Sequence, residues 1–122
     1  KIPIDLKKIL KESSLKTKKN KKIIVNLAIN YGSKNEILNS LKKIKKNITI
    51  KNFEKNLYTK NIPDPDLLIR TGDEIRISNF FLWQISYSEL YFSKLLWPDF
   101  KLSNFKSALN KFSKRDRRFG KE

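Results

Sequence analysis

The chain contains no cysteine, no histidine and no methionine. Without cysteine there is no disulfide, no thiolate metal ligand and no thiol nucleophile. Without histidine the Ser-His triad, the imidazole general base and the usual zinc sites are excluded too. Any chemistry must use carboxylates, hydroxyls, lysine, arginine, backbone groups or a hard cation such as magnesium. No apolar run approaches the roughly 20 residues of a membrane-spanning helix. The missing methionine, and an opening inside the apolar pattern IPIDLKKIL with no start signal, create the expectation of a fragment whose N-terminal part lies upstream. A targeting peptide is then neither visible nor excluded.

Arginine is scarce as well. The chain has 23 Lys and only 5 Arg, with a net charge of +16. Such a charge fits a polyanionic partner: nucleic acid, an anionic membrane or a phosphorylated substrate. It equally fits a genome whose base composition favours Lys, Asn and Ile codons. That bias does not explain where the arginines stand. Arg70 and Arg76 flank Thr-Gly-Asp-Glu, and Arg115, Arg117 and Arg118 crowd into one tail segment. An Arg kept against such pressure points to a place that needs a planar, bidentate fork, which Lys lacks. A nucleic-acid surface would interleave exposed bases and aromatics; here the aromatics fall on expected core faces, so no nucleic-acid partner is expected.

What is present reads as one α/β unit. The 122 residues suffice for a single compact domain, and 39% apolar content allows a core. Residues 4–15 have helical spacing, and 16–22 form a charged connector. Ile23 to Ile29 is a nearly continuous apolar, β-branched run, as in a buried parallel strand. After the Asn30-Tyr31-Gly32 turn, Ser33 is placed to cap a helix with Ile37, Leu38, Leu41 and Ile44 on its apolar face. A short helix is expected within 48–58. Residues 61–66 form a loop stiffened by Pro63 and Pro65. Leu67 to Ile69 reads as a second strand, ending at Arg70 and completing a βαβ pattern. Ser78-Asn79 would cap an aromatic helix over 80–90, which packs in the core or at a subunit interface. Residues 95–100 form a loop, and Ser103 would cap a final helix with Phe105, Leu109 and Phe112 on one stripe.

Ligands of open α/β sheets gather at the carboxyl ends of the strands. Arg70, Arg76 and Ser78 there would make a phosphate or diphosphate clamp, with Gly72 allowing a sharp turn. The alternative is that Arg70 forms a structural ion pair with Asp66, Asp73 or Glu74. Glu89, amid aromatics, is either paired or binds a cation such as magnesium. Spacing alone does not name the anion.

Residues 64–100, DPDLLIRTGDEIRISNFFLWQISYSELYFSKLLWPDF, closely resemble the C-terminal signature of the cis-prenyltransferases, most of all the bacterial undecaprenyl diphosphate synthases. NLAINYG at 26–32 and RDRRFG at 115–120 match in order and spacing. The resemblance covers essentially the whole chain. It implies a parallel sheet surrounded by helices, a homodimer and a magnesium-dependent enzyme. Such enzymes condense isopentenyl diphosphate onto an allylic diphosphate such as farnesyl diphosphate, each new double bond being cis. It implies that Arg70, Arg76 and Ser78 hold the isopentenyl diphosphate, and that Glu89 helps bind magnesium. Arg118 and Gly120 would form an Arg-x-Gly tail reaching the partner subunit's isopentenyl site. The aromatic stretch from Asn79 would form part of the dimer interface.

The resemblance places the allylic site and the catalytic Asp upstream. Residues 1–122 are therefore expected to be the C-terminal part of one cis-prenyltransferase domain, inactive alone. Position 73 is Asp where the family usually has a second Gly. The alternative is a non-catalytic subunit of a two-subunit enzyme; such subunits commonly lose the clamp residues present here. The implied location is the cytoplasm, with contact at the inner face of the cytoplasmic membrane.

Overall fold

The computed structural model describes residues 2–117. The chain divides between Tyr31 and Gly32 into two compact units. In the first, helix α1 (Ile4–Thr17) begins after Pro3, whose fixed φ suits a helix entrance, and carries Asp5 in its first turn and Lys16 in its last. Both charges complement the helix dipole. None of its residues is buried. The expected strand at 23–29 does not form: the segment has no regular structure, and Ile23 and Val25 are 76% and 75% exposed. A strand exists only through a hydrogen-bonding neighbour, and no described segment pairs with this one. Its β-branched composition is a preference without a partner.

The second unit carries helices α2 (Ser33–Lys42), α3 (Ile50–Glu54) and α4 (Leu102–Ser113), a 3₁₀ turn at Trp97–Asp99, and strands β1 (Leu67–Arg70) and β2 (Glu89–Phe92). The strands are parallel, with Leu67 opposite Glu89 and Arg70 opposite Phe92. The α/β class and the parallel sheet thus stand as expected, but the sheet is built differently. Its second member is Glu89–Phe92, in the stretch expected to end a helix, and not Ile23–Ile29. The expected aromatic helix over 80–90 is replaced by successive turns through residues 78–87. Ser78, Asn79 and Phe81 have φ values of 52°, 62° and 48° there, which no right-handed helix accommodates.

The core is unusually polar. Among the described residues, the buried apolar side chains are Phe53, Leu57, Ile85 and Ala108, while Ser33, Glu36, Ser40, Thr59 and Gln84 are also buried. Helix α2 turns Ser33, Glu36 and Ser40 inward, at i, i+3 and i+7. Leu38 and Leu41 of its expected apolar face are exposed. Glu36 accepts from the Tyr58 amide at 2.7 Å and from Gln84 Nε2 at 3.1 Å; Gln84 Nε2 also donates to Thr59 Oγ1 at 3.1 Å. Ser40 Oγ donates to the Asn56 carbonyl at 3.0 Å. Buried polar groups are tolerable only when paired in this way. Helix α3 is capped by Thr49, which accepts from the Asn52 amide at 3.2 Å, and places the Phe53 ring edge-on to Trp83 at 4.6 Å.

Helix α4 begins at Leu102, one residue before the expected cap Ser103; Asn104 instead accepts from the Lys101 amide at 2.8 Å. Its buried residue is Ala108, and Phe105 and Leu109 are exposed. No helix among the described residues is long and apolar enough to cross a membrane.

Replacing Glu36 by Ala strands the Tyr58 amide and half of the Gln84 network in a buried place. The expected loss is about 2–3 kcal/mol in urea unfolding; a loss under half a kcal/mol would show that the network is not a stabilising unit. Asp64 gives a pH test. Loss of solvent, and secondly the nearby Glu54 carboxylate, raise it above the ordinary carboxylate value of 3.8. The folded chain then binds a proton more tightly than the unfolded chain, so stability falls as pH rises between those two values. Asp64→Asn should raise the thermal midpoint at pH 7, with the gain vanishing as pH falls below 3.8. An equal gain at all pH values would exclude this origin.

Candidate anion-binding site

The parallel register puts Arg70 at the carboxyl end of β1, with its carbonyl accepting from the Ser93 amide at 2.8 Å. The next turn hangs on the segment after β2. The Gly72 amide donates to the Leu95 carbonyl at 2.7 Å, and the Asp73 amide to the Ser93 carbonyl at 3.0 Å. Gly72 has φ 97°, and a Cβ added there would meet nothing within 4 Å, so glycine is needed for the backbone angle and not for space. Asp73 has φ 58° and is exposed. Aspartate is one of the few residues that visit this left-handed region readily, so the loop closes with Asp at position 73.

Arg70 Nη1 donates to the Arg76 carbonyl and, at 3.1 Å, to Ser78 Oγ. Both acceptors are neutral. The expected alternative, an ion pair with Asp66, Asp73 or Glu74, is absent among the described residues: Asp66 pairs with Arg117 at 2.6 Å and Glu74 with Arg76 at 2.5 Å. The Arg70 charge is therefore positioned without being neutralised. Arg76 is 61% exposed, and its pair with Glu74 is of the weak, solvent-screened kind that a stronger anion displaces. Arg70, Arg76 and Ser78 thus come together, as the sequence reading had them. They line one end of a groove of about 540 Å³ whose other walls include Leu67, Ile69, Ile77 and the stacked rings of Phe80 and Phe81. A charged end and an apolar body suit an amphiphilic anion.

Glu89 is not brought to this clamp. It opens β2 beside Leu67, three residues and about 10 Å of strand from Arg70. Its carboxylate is held by Arg115 Nη1, which also donates to the Leu90 carbonyl at 3.2 Å. Among the described residues no group of three or more acidic side chains gathers as a metal site. The donor set of the described residues does not by itself close a magnesium site. Arg117, on Asp66 and 5.6 Å from the Phe112 ring, joins Arg115 at the amino ends of the two strands, opposite the clamp. Sequence proximity had grouped the tail arginines together; two of them are tied to carboxylates of their own chain. Arg118 and Gly120 lie outside the described residues.

Sequence reasoning missed Asn79. It was expected to cap the following helix; instead it caps α2, accepting from the Lys34 amide at 2.9 Å. The one available signal was an Asn directly after the clamp Ser, a residue type at home both in caps and in left-handed backbone.

Comparison with known proteins shows the family. The family model described as "Putative undecaprenyl diphosphate synthase" matches residues 1–120. The chain belongs to this prenyltransferase family. Among curated members it is 48% identical to an isoprenyl transferase of Fusobacterium nucleatum over 98% of this chain and 53% of that protein. It is 47% identical to an isoprenyl transferase of Aquifex pyrophilus, over 96% and 52%. The chain spans about half the length of these family members. Of solved structures, a probable undecaprenyl diphosphate synthase from Campylobacter jejuni superposes with TM-score 0.88 at 36% identity, over 99% of this chain and 59% of that one. Lavandulyl diphosphate synthase from Lavandula x intermedia, in complex with dimethylallyl diphosphate, gives 0.93 at 34% identity, over 99% and 56%.

Proposed function

We propose that the chain supplies the isopentenyl diphosphate site of a cis-prenyltransferase that builds a cis-polyprenyl diphosphate. One observation carries the reading: Arg70, held by neutral acceptors and free of any acidic partner among the described residues, stands at the charged end of an apolar groove. A diphosphate would seat on the guanidinium forks of Arg70 and Arg76 and on the Ser78 hydroxyl, and its short hydrocarbon on Ile77, Phe80 and Phe81. Reaction then follows from the family chemistry. An allylic diphosphate such as farnesyl diphosphate ionises, its C–O bond breaking. The isopentenyl double bond attacks the cation, a new C–C bond forms, and a proton leaves. The clamp contributes by holding the attacking double bond in place.

In the same reading, residues 1–122 are one part of a single catalytic domain, and the allylic side lies in sequence beyond them. Magnesium would take Glu89 as one carboxylate from this chain, once freed from Arg115. Arg118 and Gly120 would serve the site of a partner subunit in a homodimer. A lipid product implies peripheral contact with the inner face of the cytoplasmic membrane. The presence of Arg70, Arg76, Ser78 and Glu89 together favours a catalytic chain over a non-catalytic subunit.

Arg70→Lys keeps the charge and removes the fork. It should weaken isopentenyl diphosphate binding about tenfold or more in calorimetry, and unchanged affinity would sink the clamp. The 122-residue chain supplied with farnesyl diphosphate, labelled isopentenyl diphosphate and magnesium should form no polyprenyl product. Product in that assay would refute the division of labour.

A further inference from the structure

Three hydrogen bonds tie the loop that carries Ser78 to the start of α2, more than 40 residues earlier. The Ser33 amide donates to the Asn79 carbonyl at 2.9 Å, and the Lys34 amide to Asn79 Oδ1 at 2.9 Å. In return, Ser33 Oγ accepts from the Leu82 amide at 3.0 Å. Gly32 completes the lock by having no side chain: a Cβ there would lie 2.9 Å from Asn79 Nδ2. Two free amides of the helix start, which any helix must satisfy, are thus taken by a single residue of the clamp loop.

Asn79 also shapes the loop. Ser78 and Asn79 are consecutive left-handed residues, with φ 52° and 62°. That backbone sends the Ser78 hydroxyl to Arg70 and the Asn79 amide to α2. Serine has little intrinsic liking for this conformation, so something must hold it. The turn is closed from within by the Phe80 amide, which donates to the Ile77 carbonyl at 3.2 Å, and fastened to the rest of the unit by the cap on α2.

We infer that Asn79 is a positioning residue for the clamp: by capping α2 it holds Ser78, and through Ser78 it aims the Arg70 guanidinium. The inference rests on the clamp reading above. It assigns no ligand contact to Asn79.

The test is a titration of inorganic pyrophosphate into the wild-type chain, Asn79→Gly and Ser40→Ala. Glycine accommodates the left-handed backbone and removes only the side-chain bond to the Lys34 amide, leaving the backbone bond from the Ser33 amide in place. Ser40→Ala removes a buried hydrogen bond of the same helix, far in sequence from the clamp, and serves as the purely structural control. Wild type should bind, and Asn79→Gly should bind about tenfold more weakly. Ser40→Ala should bind like wild type although its thermal midpoint falls. Ser78→Ala added to Asn79→Gly should cost little more, because the two act along one path. Wild-type affinity in Asn79→Gly overturns the inference, as does an equal loss in Ser40→Ala or full additivity with Ser78→Ala. If Asn79→Gly does not fold, Gly32→Ala, whose Cβ presses on the Asn79 amide, takes its place with the same expectation, and wild-type affinity there overturns it. A wild-type chain that binds no pyrophosphate removes the clamp itself, a result distinct from all of these.

Discussion

Parallel pairing of β1 with β2 is the constraint from which the rest of the second unit follows. Two parallel neighbours run the same way, so the chain leaving Arg70 must travel back the full length of the strand before it can enter at Glu89. The returning segment, Thr71 to Ser88, carries Gly72, Arg76, Ser78 and Asn79. The clamp is therefore a by-product of a necessary crossover. The same register separates two sets of charges. Arg70 faces open groove at the carboxyl ends, while Asp66 and Glu89 stand at the amino ends and are held by Arg117 and Arg115.

The crossover is not fastened by a large apolar core. Ser33, Glu36, Ser40, Thr59 and Gln84 do much of the joining, and their hydrogen bonds are directional where apolar contact is not. Directional bonds suit a segment that must hold one side chain at one angle. They also explain why α2 turns its polar face inward while Leu38 and Leu41 remain exposed. A buried carboxylate such as Glu36 must have its donors, whereas an exposed leucine costs little by itself.

Arginine is used at two ends of the sheet for two purposes. At the amino ends its fork binds carboxylates and backbone of its own chain; at the carboxyl end Arg70 is aimed by neutral acceptors and keeps its charge. Both uses need a planar group with several donors, which is why lysine, so abundant elsewhere in the chain, does not replace it in either.

Much of this was legible in the residues. The helix periods at 4–15 and after Ser33, the strand at 67–69 with Arg70 at its end, and the grouping of Arg70, Arg76 and Ser78 depend on neighbours close in sequence, and local spacing reports those directly. The long signature at 64–100 carried the family. What depended on distant partners was not legible. Ile23 to Ile29 had the composition of a strand but found no described neighbour, and Glu89–Phe92 became a strand because β1 lay beside it. Asn79 had the residue type of a cap, but only the tertiary structure decided which helix it caps. Glu89 was expected to be either paired or cation-binding, and its partner, Arg115, comes from 26 residues away. The physical reason is common to all four: pairing, capping and charge neutralisation are relations between two groups, and the sequence displays only one of them at a time.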